Sequence, residues 1–185
     1  MFADEKKVLL IVLLPVFLSC YSGSTVVSGR HLKKKKSRIP HITMLKGNAS
    51  RRCKKLLPTI ELAAKKMGID TALLVGLVRV ESNFNPRARS QVGARGLTQV
   101  MPKTGKAKGC GYLYDPMKNL MCGAKVLRDF LRYYHNNLIL ALSGYNAGHY
   151  YSDKADKTSA TPGNFNYVED VLRARSHFLI YGCRW

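Results

Sequence analysis

The stretch Thr71–Ser82 reads TALLVGLVRVES, and it decides the fold class of this 185-residue chain. Apolar residues occupy nearly every position, which predicts a helix buried on most sides at the centre of a domain. Asp70, directly before it, is a residue type that caps helix N-termini. The helical pattern stops within the following segment, Glu81–Pro86 (ESNFNP), because proline does not continue a helix.

Helical patterns also lie on both sides of this segment. Pro58 suits the first turn of a helix and Gly68 its C-terminal stop, so the sequence predicts a helix over Thr59–Met67. Asn119 is expected to cap a further helix, and residues 138–145 are again largely apolar. Spacings of three and four mark one face of the helix after Asn119 and of a final helix: Leu120, Gly123, Ala124, Leu127, Leu131 and Tyr134, then Tyr167, Val168, Val171, Leu172, Arg175 and Phe178. No alternating strand pattern competes, so we predict an all-α single domain.

The N-terminus has the features of an export signal. Lys6-Lys7 is followed by the apolar run Val8–Leu18, which is too short to span a membrane, and we predict a signal peptide over residues 1–19. The residues up to Cys20 resemble a bacterial lipobox, which implies that Cys20 is lipidated. Ordinary signal cleavage a few residues later is the alternative. Lipidation predicts an exported, periplasmic protein anchored to the membrane.

A basic linker is predicted over residues 20–49, before a domain over residues 50–185. Residues 21–60 contain no Asp or Glu, whereas residues 30–55 contain eleven Lys and Arg, so much of the formal net charge of +20 is concentrated there. Such a block predicts a disordered tether, with an electrostatic clamp on anionic wall or lipid as the alternative. The linker lacks the interleaved aromatic residues that stack on bases, so we expect no nucleic-acid partner.

Five cysteines are an odd number for an exported protein. If Cys20 carries lipid, Cys53, Cys110, Cys122 and Cys183 remain, and they allow three connectivities. We favour Cys110–Cys122, which closes a short loop, and Cys53–Cys183, which ties the ends of the domain together. The chain has no C-x-x-C pair and its histidines are scattered, so no metal site is expected.

Glu81 is a carboxylate at the end of an apolar helix. Burial and the negative end of the helix dipole both disfavour its ionised form, and both therefore raise its pKa. A raised pKa is what a general acid needs near neutral pH. The alternative is a surface glutamate at a frayed helix end.

Three motifs follow in order: ESNFNP (81–86), GARGLTQVMP (93–102) and ALSGYNAG (141–148), with Asn166-Tyr167-Val168 further on. Over about residues 56–178 the chain resembles the soluble lytic transglycosylase-like family, which is related to goose-type lysozyme. The resemblance implies a lysozyme-like domain with a glycan-binding groove. It also implies cleavage of peptidoglycan between N-acetylmuramic acid and N-acetylglucosamine, with formation of anhydro-muramic ends and no cofactor.

The same resemblance implies individual roles in the groove. Glu81 is implied to be the single catalytic acid/base, and the substrate-binding residues are implied to be Ser90, Gln99, Met101, Tyr145, Asn146 and Tyr167. Asp115 and Asp129 are the only carboxylates between Glu81 and Tyr145, and neither is expected to be a catalytic partner. Hydrolysis by the same carboxyl and an inactive wall-binding module are the alternatives. A secretion apparatus is an implied partner, with general wall remodelling as the alternative setting.

Overall fold

The computed structural model describes residues 46–185, and within this range it contains helices and no strands. The seven helices are α1 (Lys46–Met67), α2 (Thr71–Ser82), α3 (Pro102–Ala107), α4 (Pro116–Tyr133), α5 (Leu138–Ala147), α6 (His149–Thr158) and α7 (Phe165–Tyr181). The prediction of an all-α domain is confirmed. The predicted signal peptide, Cys20 and the linker up to residue 45 lie outside the described residues. Within residues 46–185, no helix combines the length and the apolar composition that a membrane span requires.

The central helix α2 has the predicted bounds, and it is capped as predicted. The carboxylate of Asp70 accepts a hydrogen bond from the backbone N–H of Ala72 at 3.1 Å. Every residue in the range 72–78 is buried. This segment is therefore the middle of the hydrophobic core, which also includes Ile60, Leu120, Leu127, Leu142, Val168 and Val171.

Helices α2 and α7 pack against each other in antiparallel orientation. Arg175 Nε donates to Asp70 Oδ2 at 2.6 Å near one end of the pair. In the middle, the helices approach so closely at Gly76 that a Cβ atom there would lie 2.7 Å from the carbonyl oxygen of Val171. A larger residue would force the two helices apart, so glycine is needed for this contact.

The first helix begins earlier than the sequence suggests. Helix α1 starts at Lys46, so Pro58 lies inside it and the prediction that Pro58 occupies a first turn is wrong. The last four residues of the predicted linker are likewise helical. Proline removes one hydrogen bond from a helix interior, but Cys53 and Ile60, on either side of Pro58, are both fully buried. The apolar face of α1 thus continues across the proline, and tertiary packing holds the helix together.

Helix α4 is capped by Asp115, whose carboxylate accepts from the backbone N–H of Lys118 at 2.8 Å, and not by Asn119 as predicted. Asn119 lies inside the helix and is buried. Its Oδ1 accepts from the N–H and the hydroxyl of Thr98, both at 2.8 Å, and its Nδ2 donates to the carbonyl oxygens of Arg95 and Leu113. Asn119 therefore fastens the loop before α3 to α4.

Two disulfides are present, Cys53–Cys183 and Cys110–Cys122, which is the pairing that we favoured from the sequence. The first joins α1 to the segment that follows α7. The second joins the loop after α3 to α4. Ser50 reinforces the first link, because its hydroxyl accepts from the backbone N–H of Trp185 at 2.9 Å.

Candidate active site

Glu81 lies in the last turn of α2, where the chain turns sharply. Asn83 and Phe84 follow with positive φ angles of 51° and 59°, and the fully buried Phe84 side chain anchors the turn in the core. The hydroxyl of Tyr167, from α7, donates to Oε1 of Glu81 at 2.5 Å. Burial raises the pKa of Glu81 to about 7, while the hydrogen bond from Tyr167 acts in the opposite direction. This carboxyl can therefore be protonated near neutral pH.

A loop between α2 and α3 brings further polar groups to the carboxyl. Ser82 Oγ donates to the carbonyl oxygen of Leu97 at 2.8 Å and ties the loop to the end of α2. Ser90 Oγ accepts from the N–H of Ala94 at 2.9 Å. Gln99 adopts a left-handed conformation, with φ of 47°, and its Nε2 donates to the carbonyl oxygen of Gly96 at 2.8 Å. These contacts fix both side chains beside Glu81.

Helix α5 supplies the next two groups. The hydroxyl of Tyr145 donates to the carbonyl oxygen of Thr98 at 2.7 Å, and Oδ1 of Asn146 accepts from Nδ2 of Asn164 at 3.0 Å. Burial and the nearby Glu81 carboxylate both raise the pKa of Tyr145 and of Tyr167. The two tyrosines therefore stay protonated at neutral pH and can act only as hydroxyl donors or acceptors.

These groups line a groove with two arms that meet at Glu81. One arm, which we call the uncharged arm, is a cavity of about 330 Å³ and the other a cavity of about 620 Å³. Both cavities are lined by Glu81, Ser90 and Gln99. The uncharged arm also contains three of the predicted binding residues, namely Met101, Tyr145 and Asn146. Of the predicted residues, Tyr167 alone lines neither cavity, and it joins the site through its hydrogen bond to Glu81.

Sequence reasoning missed the charged and aromatic side chains of the larger arm other than Glu81. These are Arg79, Arg89, Asp170, Arg173, His177 and Trp185, and because most are basic we call it the cationic arm. Asp170 and His177 could have been found, because they lie three and ten residues after Tyr167, at the spacing of one helix face. Trp185 could not have been found in this way, since a disulfide places it.

The carboxylates considered in the sequence analysis have structural roles. Asp115 caps α4, and Asp129 pairs with Lys108 at 2.6 Å; neither lines the groove. Asp170, which lies outside the range considered, does line the cationic arm, but it is exposed on α7. Glu81 is thus the carboxylate that the described residues place at the junction of the two arms.

The structure is a helical domain with a groove around a partly buried glutamate. The chain belongs to the family described as Transglycosylase SLT domain, whose sequence profile matches residues 58–168. Among individual relatives, the chain is 40% identical over 105 residues to a protein of Enterobacteria phage PRD1 named Transglycosylase, covering 57% of this chain and 39% of that protein. It is 34% identical over 125 residues to Membrane-bound lytic murein transglycosylase C of Haemophilus influenzae (strain PittEE), covering 58% and 35%. The chain thus spans less than two fifths of the length of these relatives.

Solved structures show the same fold. The 70 kDa soluble lytic transglycosylase SLT70 of Escherichia coli matches with a TM-score of 0.59 at 24% identity, over 69% of this chain and 25% of that one. An inactive glutamate-to-glutamine mutant of the lytic transglycosylase Slt of Pseudomonas aeruginosa matches with a TM-score of 0.51 at 27% identity, over 64% and 21%.

Replacing Tyr167 with Phe is expected to raise the pKa of Glu81 above its value of about 7. The phenol hydroxyl donates to the carboxyl and favours its ionised form, so its loss leaves burial unopposed. The pKa is measured by NMR titration of the glutamate side-chain carbons. Tyr181→Phe, at the exposed end of α7, is the matched control and should leave the value unchanged. A Glu81 pKa that stays constant or decreases in Tyr167→Phe would contradict the assignment of this hydrogen bond.

Proposed function

We propose that this chain is a peptidoglycan lytic transglycosylase with Glu81 as its single acid/base. The observation that carries the proposal is the partly buried carboxyl of Glu81, with its pKa raised to about 7, at the junction of the two arms of the groove. A protonated carboxyl in that position can act as a general acid toward a glycosidic oxygen. Family membership and the relatives named transglycosylase support the same reaction.

The proposed reaction needs one carboxyl in two protonation states. Glu81 first gives its proton to the glycosidic oxygen, and the bond between that oxygen and C1 of N-acetylmuramic acid breaks. The acetamido group of the same sugar stabilises the positive charge that develops at C1. The Glu81 carboxylate then takes the proton from the 6-hydroxyl of that sugar, whose oxygen bonds to C1 and closes the anhydro ring. No water is consumed, and Glu81 ends protonated as it began.

The other groups of the groove have proposed supporting roles. Ser90, Gln99, Met101 and Asn146 line the cavities beside Glu81 and would position the glycan. Tyr167 holds the carboxyl in one orientation, and Tyr145 holds the loop at Thr98. Fixing a reactive group in this way lowers the entropic cost of reaching the transition state.

The products distinguish this proposal from hydrolysis by the same carboxyl. Purified sacculi treated with the protein are expected to release fragments ending in anhydro-muramic acid, detected by mass spectrometry. A hydrolase would release reducing ends, which are heavier by one water for each cleaved bond. Release of reducing ends alone, or of no fragments, would refute the proposal; in the second case an inactive wall-binding module would remain.

The proposed location is the periplasm, with the protein anchored to the membrane through a lipid on Cys20. Relatives of this chain are named Membrane-bound lytic murein transglycosylase C, and the FLSC stretch before residue 21 supports the same kind of anchor. Mass spectrometry of the mature N-terminus tests it. A mature protein that begins after Cys20 would contradict the proposal.

A further inference from the structure

The groove is electrically asymmetric about Glu81. Within residues 46–185, Glu81 is the only Lys, Arg, Asp or Glu that lines the uncharged arm. The cationic arm is lined by three arginines and one histidine, and also by one acidic residue, Asp170. A glycan bound across Glu81 therefore meets a neutral surface on one side and a positive surface on the other.

Arg79 is the central cation of this arm, two residues before Glu81 on α2. It is partly buried, and it donates to the side-chain oxygen of Asn83 at 2.5 Å. Its guanidinium also lies 5.1 Å from the centroid of the Trp185 ring. Both of these neighbours are neutral, and in residues 46–185 no carboxylate lies within ion-pair distance of Arg79. A guanidinium has five N–H donors, so the known contacts leave donors available for a ligand.

Packed aromatic rings form the wall of the cationic arm next to Arg79. The rings of His177 and Trp185 are stacked, with their centroids 4.4 Å apart. The ring of Phe84 packs against Trp185 as well, with 5.7 Å between the two ring centroids. The disulfide Cys53–Cys183 fixes the segment that carries Trp185. A cation held by such a wall is pre-organised and loses little conformational entropy when it binds an anion.

The other two arginines are placed differently. Arg89 is exposed on the loop between α2 and α3. Arg173 is partly neutralised by Glu169, with 2.6 Å between Nη2 and Oε1. We therefore rank their importance for a ligand as Arg79 first, Arg89 second and Arg173 third, because exposed or already paired charges contribute less.

From this arrangement we infer that the cationic arm is a subsite for a carboxylate carried by the muramic acid units of the glycan. This inference rests on the proposed function and specifies the substrate of the same groove. Guanidinium groups bind carboxylates through paired N–H donors, and this match is stronger than one between neutral groups. Muramic acid carries a lactyl group whose carboxyl is either free or joined to a peptide stem that bears carboxylates of its own. N-Acetylglucosamine carries none, so the cationic arm distinguishes acidic glycans from neutral ones.

Binding is measured with Glu81→Gln as the parent protein, so that turnover does not remove the ligand. Three polymers serve as probes: intact sacculi, sacculi stripped of peptide stems by an amidase, and a neutral N-acetylglucosamine polymer. Adding Arg79→Gln is expected to weaken binding to intact sacculi about tenfold at low salt, and less at high salt. Arg132→Gln, exposed on α4 and outside the groove, makes the same charge change and is the matched control, expected to alter binding less than about twofold.

The pattern over the probes identifies the carboxylate. A loss confined to intact sacculi assigns it to the peptide stem. A loss confined to stripped sacculi assigns it to the lactyl carboxylate that the amidase sets free, and losses on both acidic polymers show that the arm accepts either carboxylate. Equal losses on all three polymers, or no loss on any, would overturn the inference. If Arg79→Gln does not fold, Arg89→Gln with Arg173→Gln decides, with an expected loss of roughly threefold.

The proposed function is tested separately, by analysing the products that the wild-type protein releases from sacculi. Anhydro products together with arginine-independent binding would retain the transglycosylase and reject the carboxylate subsite. Arginine-dependent binding without any cleavage would retain the carboxylate subsite and reject the transglycosylase.

Discussion

Glu81→Gln is expected to reduce the cleavage of peptidoglycan by roughly 10²–10⁴-fold, which is the usual contribution of a general acid–base group. Glutamine has the shape of the protonated carboxyl and keeps an oxygen that can accept from Tyr167, but it cannot donate and retake a proton. Release of soluble fragments from sacculi measures the loss. Glu61→Gln, exposed on α1 and away from the groove, is the matched control and should retain full activity.

The same substitution has a predicted effect on stability that depends on pH. The pKa of Glu81 is about 7 in the folded protein and near 4.5 in the unfolded chain, so between these values the folded state binds more protons. The contribution of Glu81 to the free energy of unfolding of the wild type should therefore be greatest below about pH 4.5. It should decrease by roughly 3 kcal/mol as the pH rises from there through 7. Glu81→Gln lacks this loss, so it should be the more stable protein at pH 8.

Two outcomes would contradict these expectations. Cleavage that survives in Glu81→Gln, with the fold intact by circular dichroism, would remove the acid/base assignment. Urea unfolding that gives the two proteins the same pH dependence would show that Glu81 ionises as readily in the fold as in the unfolded chain. The first result concerns the chemistry and the second the burial of the carboxyl.

Removing the disulfide Cys53–Cys183, with both residues changed to Ser, is expected to lower the free energy of unfolding by about 5 kcal/mol. In the chain-entropy treatment the cost increases with the length of the closed loop, and these cysteines are 130 residues apart. Removing Cys110–Cys122 in the same way is the matched control, with a separation of 12 residues and an expected cost of roughly 3 kcal/mol. Urea unfolding of the two double variants and the parent measures both values.

The two disulfides should also differ in their effect on the groove. Cys53–Cys183 fixes the segment that carries Trp185, a wall of the cationic arm, whereas neither Cys110 nor Cys122 lines either arm. Glycan binding should therefore weaken in the first double variant and stay unchanged in the second. Equal binding by both, or a larger stability loss in the second, would contradict the role given to this link.

The parts of the fold that sequence reasoning predicted are those with a local cause. The range of α2 follows from a run of apolar residues between a capping aspartate and a proline, and both ends are visible in the sequence. Glu81 was found because a charged residue at the end of that run is unusual. The remaining groove residues named from the sequence came from motifs that resemble a family.

The parts that were wrong or missed have distant causes. Pro58 lies inside α1 because burial of that helix's apolar face outweighs a lost hydrogen bond, which local propensity does not reveal. Asn119 has the composition of a cap, but its partners are Thr98 and Arg95, which lie over twenty residues away. The cationic arm combines α2, α7 and a disulfide-linked segment, so its charges meet only in the folded chain.

The missing side chain at Gly76 has a consequence at the other end of its helix. Glu81 lies on α2 and Tyr167 on α7, and these two helices are in close contact at Gly76. The distance between the carboxyl and the phenol hydroxyl is therefore set about one and a half helical turns away from them. Because the side chain of Gly76 is a single hydrogen atom, the two helices can approach closely enough for the Tyr167 hydroxyl to reach the Glu81 carboxyl. Gly76 lines neither arm of the groove, yet the contact that it permits helps to place the Tyr167 hydroxyl, which opposes the effect of burial on the pKa of Glu81.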